Sequence, residues 1–357
     1  MRKICFLLII VVILPLFSVK SFAEGEADEF ISDFEALLPE EMQGITEGEN
    51  LADAVGIRGL LSQIGEALGG NKGKLAKLLC LLLGCVALCS LPDIMGINMS
   101  EDISSCVGVI CSVLIFYPLT ELYSGVSGSI KEISEFFTGL IPITAGVTAM
   151  GGGNAAAVAQ SGAMYMTVGA VSGFGLELFA PIIALGFALS LLSAFGNSEI
   201  STVCKGVKGV FFWLLGISSA LITGSFSLQS IVASAQDSIT IRAAKHMASG
   251  IIPVVGSTVS GALSTLASGL SYAKGVIGVG AIIAILSVVL SPLVLLLCYR
   301  LAFSVAIALA DFVGKTAGKI LSAYRFSLDM LIALYSLVSV IYIFEIILFI
   351  KIGVALL

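Results

Sequence analysis

The stretch GVIGVGAIIAILSVVLSPLVLLLC, residues 275–298, has 24 residues and no charged side chain. As a helix it measures about 36 Å, which exceeds the roughly 30 Å hydrocarbon thickness of a bilayer. It therefore predicts a membrane-spanning helix. The 357-residue chain is 58% hydrophobic and 12% charged, with a mean hydropathy of +1.09, whereas soluble domains have about 25% charged residues. This composition argues against a soluble enzyme.

Five more apolar segments are long enough, or nearly long enough, to span a membrane: 75–91, 103–122, 176–194, 209–228 and 330–350. Two weaker stretches, 251–270 and 301–310, predict re-entrant or broken helices, because irregular backbone at membrane depth must be buried in protein or line a wet cavity. Residues 124–137 mix charged and apolar side chains and predict an interfacial helix. The predicted fold class is an all-α polytopic membrane protein, a helical bundle with interrupted helices.

The N-terminus, residues 1–23, has the three parts of a secretory signal peptide. Two basic residues precede the apolar run 4–17, and small residues stand at a cleavage site after Ala23. The pattern predicts a mature start at Glu24, and an uncleaved anchor helix is the alternative. The following segment, 24–71, holds 12 of the 24 acidic residues. It predicts extracytoplasmic amphipathic helices that form either a solvated surface or a protein-docking site.

The second half of the chain contains signs of an internal repeat. Three pairs of features are separated by 111 residues: GLIPI at 139–143 and GIIPV at 250–254, Pro181 and Pro292, and Lys208 and Lys319. This common offset predicts a duplication, with repeat 1 at 139–246 and repeat 2 at 247–357. A transmembrane hairpin and the interfacial helix occupy 72–138.

Basic residues predict the orientation of the spans. The clearest cytoplasmic candidates are Lys205 and Lys208 in one loop and Lys315, Lys319 and Arg325 in another. An even number of crossings then separates the two loops, which favours a parallel repeat. Lys72, Lys74 and Lys77 precede the first span and conflict with an exported N-terminus. The signal peptide is given more weight, because lysine side chains can snorkel to either interface.

Residue types that would carry metal, cofactor or nucleic-acid chemistry are not grouped in the sequence. His246 is the only histidine and has no cysteine or carboxylate cluster beside it, so no zinc site is expected. The GGGN sequence at 151–154 follows no predicted strand and precedes no Gly-Lys-Ser/Thr, which excludes a phosphate-binding loop. A basic face for nucleic acid is also missing. We therefore predict no catalytic residue, no metal and no cofactor.

Six cysteines without a CxxC motif are predicted as small membrane-core residues: Cys80, Cys85, Cys89, Cys106, Cys111 and Cys298.

Three groups of residues are candidates for function. Glu345 lies within the last span, where an ionisable side chain costs roughly 2.5–3.5 kcal/mol to insert. Two roles remain open for Glu345: a polar function in the bundle interior, or structural pairing with another side chain. The most polar loop of the C-terminal half contains Asp237, Arg242 and Lys245 and predicts a partner contact or an interfacial helix. Helix breaks or a pathway are predicted at Pro142, Gly151, Gly152, Gly153, Asn154, Pro253 and Gly256.

The sequence DSITIRAAK at 237–245, with GIIPVVG at 250–256 and KGVIG at 274–278, closely resembles the stage III sporulation protein AE family of endospore-forming bacteria. The resemblance implies a non-enzymatic subunit of a secretion or feeding channel in the mother-cell membrane around the forespore, required for late forespore development. Implied partners are the other stage III AA-to-AH proteins, a forespore membrane protein and the lipid bilayer, but not nucleic acid; self-association is left open. The alternative is an independent secondary transporter for a small solute.

Overall fold

The computed structural model describes most of the chain, and the described residues are helical with no strand. They are residues 29–38, 57–94, 101–150, 154–194, 202–220, 222–224, 256–313 and 315–354. The predicted signal peptide, the 237–245 loop and Pro253 lie outside the described residues.

The helices are numbered here in chain order. Their bounds are α1 over 29–37, α2 Ile57–Gly70, α3 Lys72–Ile94, α4 Glu101–Met150, α5 Asn154–Ala170, a π-helix Val171–Leu178, α6 Phe179–Ala194, α7 over 202–220, α8 Gly256–Val313 and α9 Lys315–Val354. The segments α5, π-helix and α6 follow one another without a gap, so residues 154–194 form one continuous helical segment with π-helical hydrogen bonding at 171–178.

Two helices are longer and more continuous than the sequence predicts. Helix α4 has 50 residues and includes both the predicted span at 103–122 and the predicted interfacial helix at 124–137. Helix α8 has 58 residues and is unbroken across the described parts of 251–270 and 301–310, where interruptions were expected. Proline can lie within such helices when neighbouring side chains satisfy the carbonyl groups that it frees.

The membrane-spanning character of the fold is confirmed. Among the described residues, five helical segments are long and apolar enough to cross a bilayer: Lys72–Ser90, Cys106–Met150, Thr202–Gly224, Ser271–Phe312 and Ala317–Ile350. A shorter apolar helix covers Phe179–Leu192. At roughly 1.5 Å per residue, α4 is about 75 Å long and α8 about 87 Å, so one bilayer thickness accounts for only part of each.

The long helices pack side by side. Helices α8 and α9 form an antiparallel hairpin, in which Arg300 pairs with Asp329 and Gly278 lies against Ile350. Helix α5 folds back on the C-terminal part of α4, and α3 packs on its N-terminal part. The core is continuous along this bundle and contains large aromatic side chains that are fully buried, among them Phe137, Phe303 and Tyr324.

Helix α1 belongs to the predicted acidic N-terminal segment and is amphipathic. Phe34 and Leu38 are buried, whereas the acidic residues at 29 and 35 are more exposed. Its apolar face fits against glycines, because a Cβ at Gly280 would lie 2.7 Å from the Phe34 ring and one at Gly146 would lie 2.6 Å from Phe30. The absence of a side chain at these glycines therefore lets α1 approach α4 and α8 closely.

The bundle has two halves that differ in their cores and in how many large apolar side chains they expose. The apolar-faced half comprises 78–94, 101–122, 179–194 and 296–328, and the polar-cored half comprises 129–150, 154–170, 271–288 and 335–350. Large apolar side chains are exposed along the apolar-faced half: Leu79, Leu83, Leu88, Val109, Ile110, Val113, Leu114, Phe116, Tyr117, Leu185, Leu192, Leu297, Leu301, Val305, Leu309 and Phe312. Because they cover several helices, they form a surface suited to lipid.

The predicted repeat is not shown by the fold. Pro181 lies in the first turn of α6, whereas Pro292 lies in the middle of α8. Pro142 is within α4, and its predicted equivalent Pro253 is outside the described residues. The duplication therefore stays a prediction.

Candidate functional site

A stripe of tyrosines on α9 faces α4. Tyr324, Tyr335 and Tyr342 are separated by 11 and 7 residues, close to three and two helical turns, so they share one face. All three are fully buried. The Tyr342 hydroxyl lies 2.8 Å from the Ser134 hydroxyl, and Tyr324 donates a hydrogen bond to the backbone carbonyl of Ser112. The stripe therefore fixes α9 along α4 across both halves of the bundle.

The middle tyrosine contributes to a polar contact at Pro292 of α8. Proline has no N–H, so the carbonyl of Val288, four residues earlier, loses its helical donor. Ser129 on α4 donates to this carbonyl at 3.3 Å, and Tyr335 donates to the Val289 carbonyl at 3.3 Å. The Ser129 and Tyr335 hydroxyls are 2.7 Å apart. The Ser129 hydroxyl thus replaces the interaction that Pro292 removes, and Tyr335 adds a hydrogen bond at the next carbonyl.

The polar-cored half contains a row of buried polar side chains between α4, α5 and α9. The Thr148 hydroxyl donates to Gln160 Oε1 at 3.2 Å. Two turns further along α5, Thr167 is hydrogen-bonded to the carboxyl group of Glu345. We call these residues the polar seam; its members, each at most 4% exposed, are Thr144, Thr148, Gln160, Thr167 and Glu345.

Glu345 is the ionisable member of the polar seam. Its side chain is 2% exposed, and its Oε2 atom has no hydrogen-bond partner among the described residues. The two ion pairs in the described part of the chain join Lys74 to Glu121 and Arg300 to Asp329, and Glu345 belongs to neither. An ionisable group in such surroundings is costly and marks a functional candidate.

A polar cavity of about 1000 Å³ lies between α2, α4 and α8. Gly125 and Gly128 on α4 leave space on one side, and the Pro292 region of α8 forms another wall. The carboxyl groups of Glu66 and Glu132 line it, and no basic side chain is among its described lining residues. The cavity therefore suits water or cationic groups.

The structure places the predicted site residues at separate locations. Glu345 is in the polar seam. Pro142 is exposed within unbroken α4, and the helix ends at Met150 rather than at the proline. Asn154 begins α5 and Gly256 begins α8. The remaining candidates lie outside the described residues: Gly151, Gly152, Gly153, Asp237, Arg242, Lys245 and Pro253.

Most of the polar seam was missed by sequence reasoning. Gln160 and Thr167 stand seven residues apart on one face of α5, which is the spacing that could have indicated a polar stripe. It was hidden because threonines scattered among alanines and glycines are also typical of helix packing in membranes. The sequence pattern did not predict the π-helix Val171–Leu178 that follows Thr167.

These features define the class of the protein: an all-α, multi-pass membrane protein with a partly polar interior. The sequence model of the family described as "Stage III sporulation protein AE (spore_III_AE)" matches residues 32–355. The chain belongs to this family. A relative named stage III sporulation protein AE, from Bacillus subtilis (strain 168), is 22% identical over 297 residues, which cover 80% of this chain and 74% of the relative. No solved structure matches the chain.

Proposed function

We propose that the chain is a non-enzymatic membrane subunit of a sporulation channel between mother cell and forespore, located in the mother-cell membrane. The observation that carries this proposal is the family match across 32–355 on a chain with five helices able to span a membrane. The family name denotes a stage of sporulation rather than a reaction, which supports a non-enzymatic role. The proposed partners are the other stage III AA-to-AH proteins and a forespore membrane protein.

The positions of charged and amphipathic elements support one orientation. The Lys208 ammonium lies 5.5 Å from the centre of the Phe326 ring, so the basic starts of α7 and α9 are at the same end of the bundle. The acidic helix α1 packs on the polar-cored half, at the other end. By the positive-inside rule the basic end is cytoplasmic, and the end that carries α1 then faces the space between the two membranes.

The loop with Asp237, Arg242 and Lys245 is the proposed contact with other channel proteins. Charged loops outside spans carry recognition more often than the spans themselves. Reversal of Arg242 and Lys245 to Glu should block sporulation after engulfment while the protein level stays normal. Lys131→Glu, an exposed change on α4, is the matched charge-reversal control and should sporulate normally. Normal spore yield in the double variant would rule out this contact.

The channel role is tested by deleting the other stage III channel genes one at a time in the native spore former. A fluorescently tagged subunit should lose its focused localisation around the forespore, or its stability, when a direct partner is missing. An independent transporter for a small solute should keep both properties in every deletion strain. Retention of both would therefore overturn the channel proposal and favour the transporter.

A further inference from the structure

We propose that Glu345 binds a small monovalent cation, a proton or Na⁺, inside the polar-cored half and releases it while the protein works. This role goes beyond that of a channel subunit, because it gives the bundle interior a ligand of its own. The binding group is the carboxyl group of Glu345, with the Thr167 hydroxyl beside it.

The carboxyl group of Glu345 is buried with one oxygen atom left without a hydrogen-bond partner among the described residues. The residue is 2% exposed, and this oxygen is Oε2. A carboxylate removed from water needs a counter-charge, and a buried charge without one is unstable. A bound proton or Na⁺ supplies that counter-charge within the space of a single atom.

Polar and charged groups lie near Glu345 on three other helices. Helix α5 contributes the Thr167 hydroxyl, which bonds the carboxyl group, and α4 contributes Ser134, which is bonded to Tyr342, three residues before Glu345 on α9. From α8, the Lys274 ammonium lies 5.9 Å from the centre of the Phe349 ring, one turn beyond Glu345. Lys274 is 3% exposed and brings a positive charge to the same region, but Glu345 is in neither ion pair of the described chain. A proton or Na⁺ bound at the carboxyl group therefore neutralises Glu345 without a salt bridge.

The polar seam continues from Glu345 along α5 to Gln160. Seven residues separate Thr167 from Gln160, which is about 10.5 Å along α5 at roughly 1.5 Å per residue. Gln160 is 4% exposed and its Nε2 atom has no partner among the described residues. Its Oε1 atom accepts from Thr148, near the end of α4. The seam thus leads from Glu345 towards the end of α4 and the start of α5, and this direction is the proposed route for the cation.

The binding test uses the full-length protein in lipid nanodiscs and dicyclohexylcarbodiimide, an apolar reagent that modifies protonated buried carboxyl groups. Mass spectrometry should find the label on Glu345, and the label should decrease as pH rises. Protection by NaCl but not by KCl at constant pH identifies Na⁺ as the ligand; equal effects of the two salts identify the proton. The exposed Glu177 monitors reagent activity. Absence of label on Glu345, or a label that does not change with pH, would overturn the proposal.

The second test asks whether cation exchange matters in the cell, and this part rests on the proposed sporulation role. Glu345→Gln keeps the size of the side chain and its hydrogen bond with Thr167 but cannot exchange a cation, whereas Glu345→Asp can. Spore yield should fall to that of the deletion strain for Gln and be restored, at least in part, by Asp, with equal protein levels. Wild-type yield with Glu345→Gln would contradict the proposal. If deletion of the gene leaves sporulation normal, the sporulation role fails and the labelling test alone decides the cation site.

Discussion

The apolar-faced and polar-cored halves share the same long helices but use them differently. Along the apolar-faced half, α4 presents Val109, Val113 and Tyr117 to the outside, at half or more exposure. Along the polar-cored half the same helix turns Ser134, Thr144 and Thr148 inward. Large apolar side chains are also exposed on the polar-cored half, among them Val158, Met166 and Val340. The two halves therefore differ mainly in their interiors, and the polar-cored half is the one that holds a row of buried polar groups. The difference indicates that a helix continuous across both halves can serve two environments.

The clearest way to break this comparison is to put one charge on the apolar-faced surface and another just past its end. Val113 and Ser124 are exposed and three turns apart on the same face of α4. Val113→Lys should destabilise the inserted protein by about 2.5–3.5 kcal/mol, the cost of a charge within hydrocarbon. Ser124→Lys, between Glu121 and Lys131, should cost less than about 0.5 kcal/mol, as ordinary surface changes do. Unfolding in mixed micelles measures both, and equal costs would mean that lipid does not distinguish the two positions.

The second prediction compares two glycines, one in each half. A Cβ at Gly278 would lie 2.3 Å from Ile350 Cγ1, whereas nothing lies within 4 Å of a Cβ at Gly84. Gly278→Ala should destabilise by about 1–3 kcal/mol through overpacking. Gly84→Ala should stabilise by up to about 0.5–1 kcal/mol, because alanine favours helix. Thermal unfolding of purified protein checks the opposite signs. A neutral Gly278→Ala would show that α8 and α9 pack less closely than described.

The third prediction concerns buried serines on α4. Ser129 supplies the hydrogen bond that the Val288 carbonyl lacks because of Pro292, whereas Ser112 bonds the Gly108 carbonyl within its own helix. Ser129→Ala should cost about 1–2 kcal/mol, since it leaves a buried acceptor unsatisfied. Ser112→Ala should change stability by less than about 0.5 kcal/mol, because the helix already supplies a donor. Similar costs for the two variants would remove the special role of Pro292.

The general architecture could be predicted from the sequence, because the signals for membrane helices are strong and local. Residues 275–298 predicted a span, and Ser271–Phe312 contains it. Helix continuity could not be predicted from Pro142 or Pro292 alone. Whether a proline interrupts a helix depends on groups from other helices, such as Ser129, whose contact with Val288 spans 159 positions in the sequence. Tertiary contacts therefore decided what local patterns left open.

The same limit applies to the candidate site. Glu345 could be found from one charge in an apolar run. Its surroundings could not, because Thr167 and Gln160 are ordinary residues until α5 folds back onto α4. The Asp237 to Lys245 loop is the reverse case. Its charged sequence predicts a partner contact, but the loop lies outside the described residues. It therefore stays a prediction.

The smallest expected effect tests the boundary between the two halves. The Lys74 ammonium lies 3.0 Å from Glu121 Oε1, and both side chains are about half exposed, at 51% and 53%. An exposed ion pair of this kind contributes about 0–1 kcal/mol, because water screens it and two long side chains lose freedom. A double-mutant cycle of Lys74→Met and Glu121→Gln should therefore give a coupling energy below about 0.5 kcal/mol that decreases with salt. A coupling well above 1 kcal/mol, insensitive to salt, would place this pair in a low dielectric. The hydrocarbon region would then extend past residue 121 of α4, and the boundary of the apolar-faced half would have to move towards the polar-cored half.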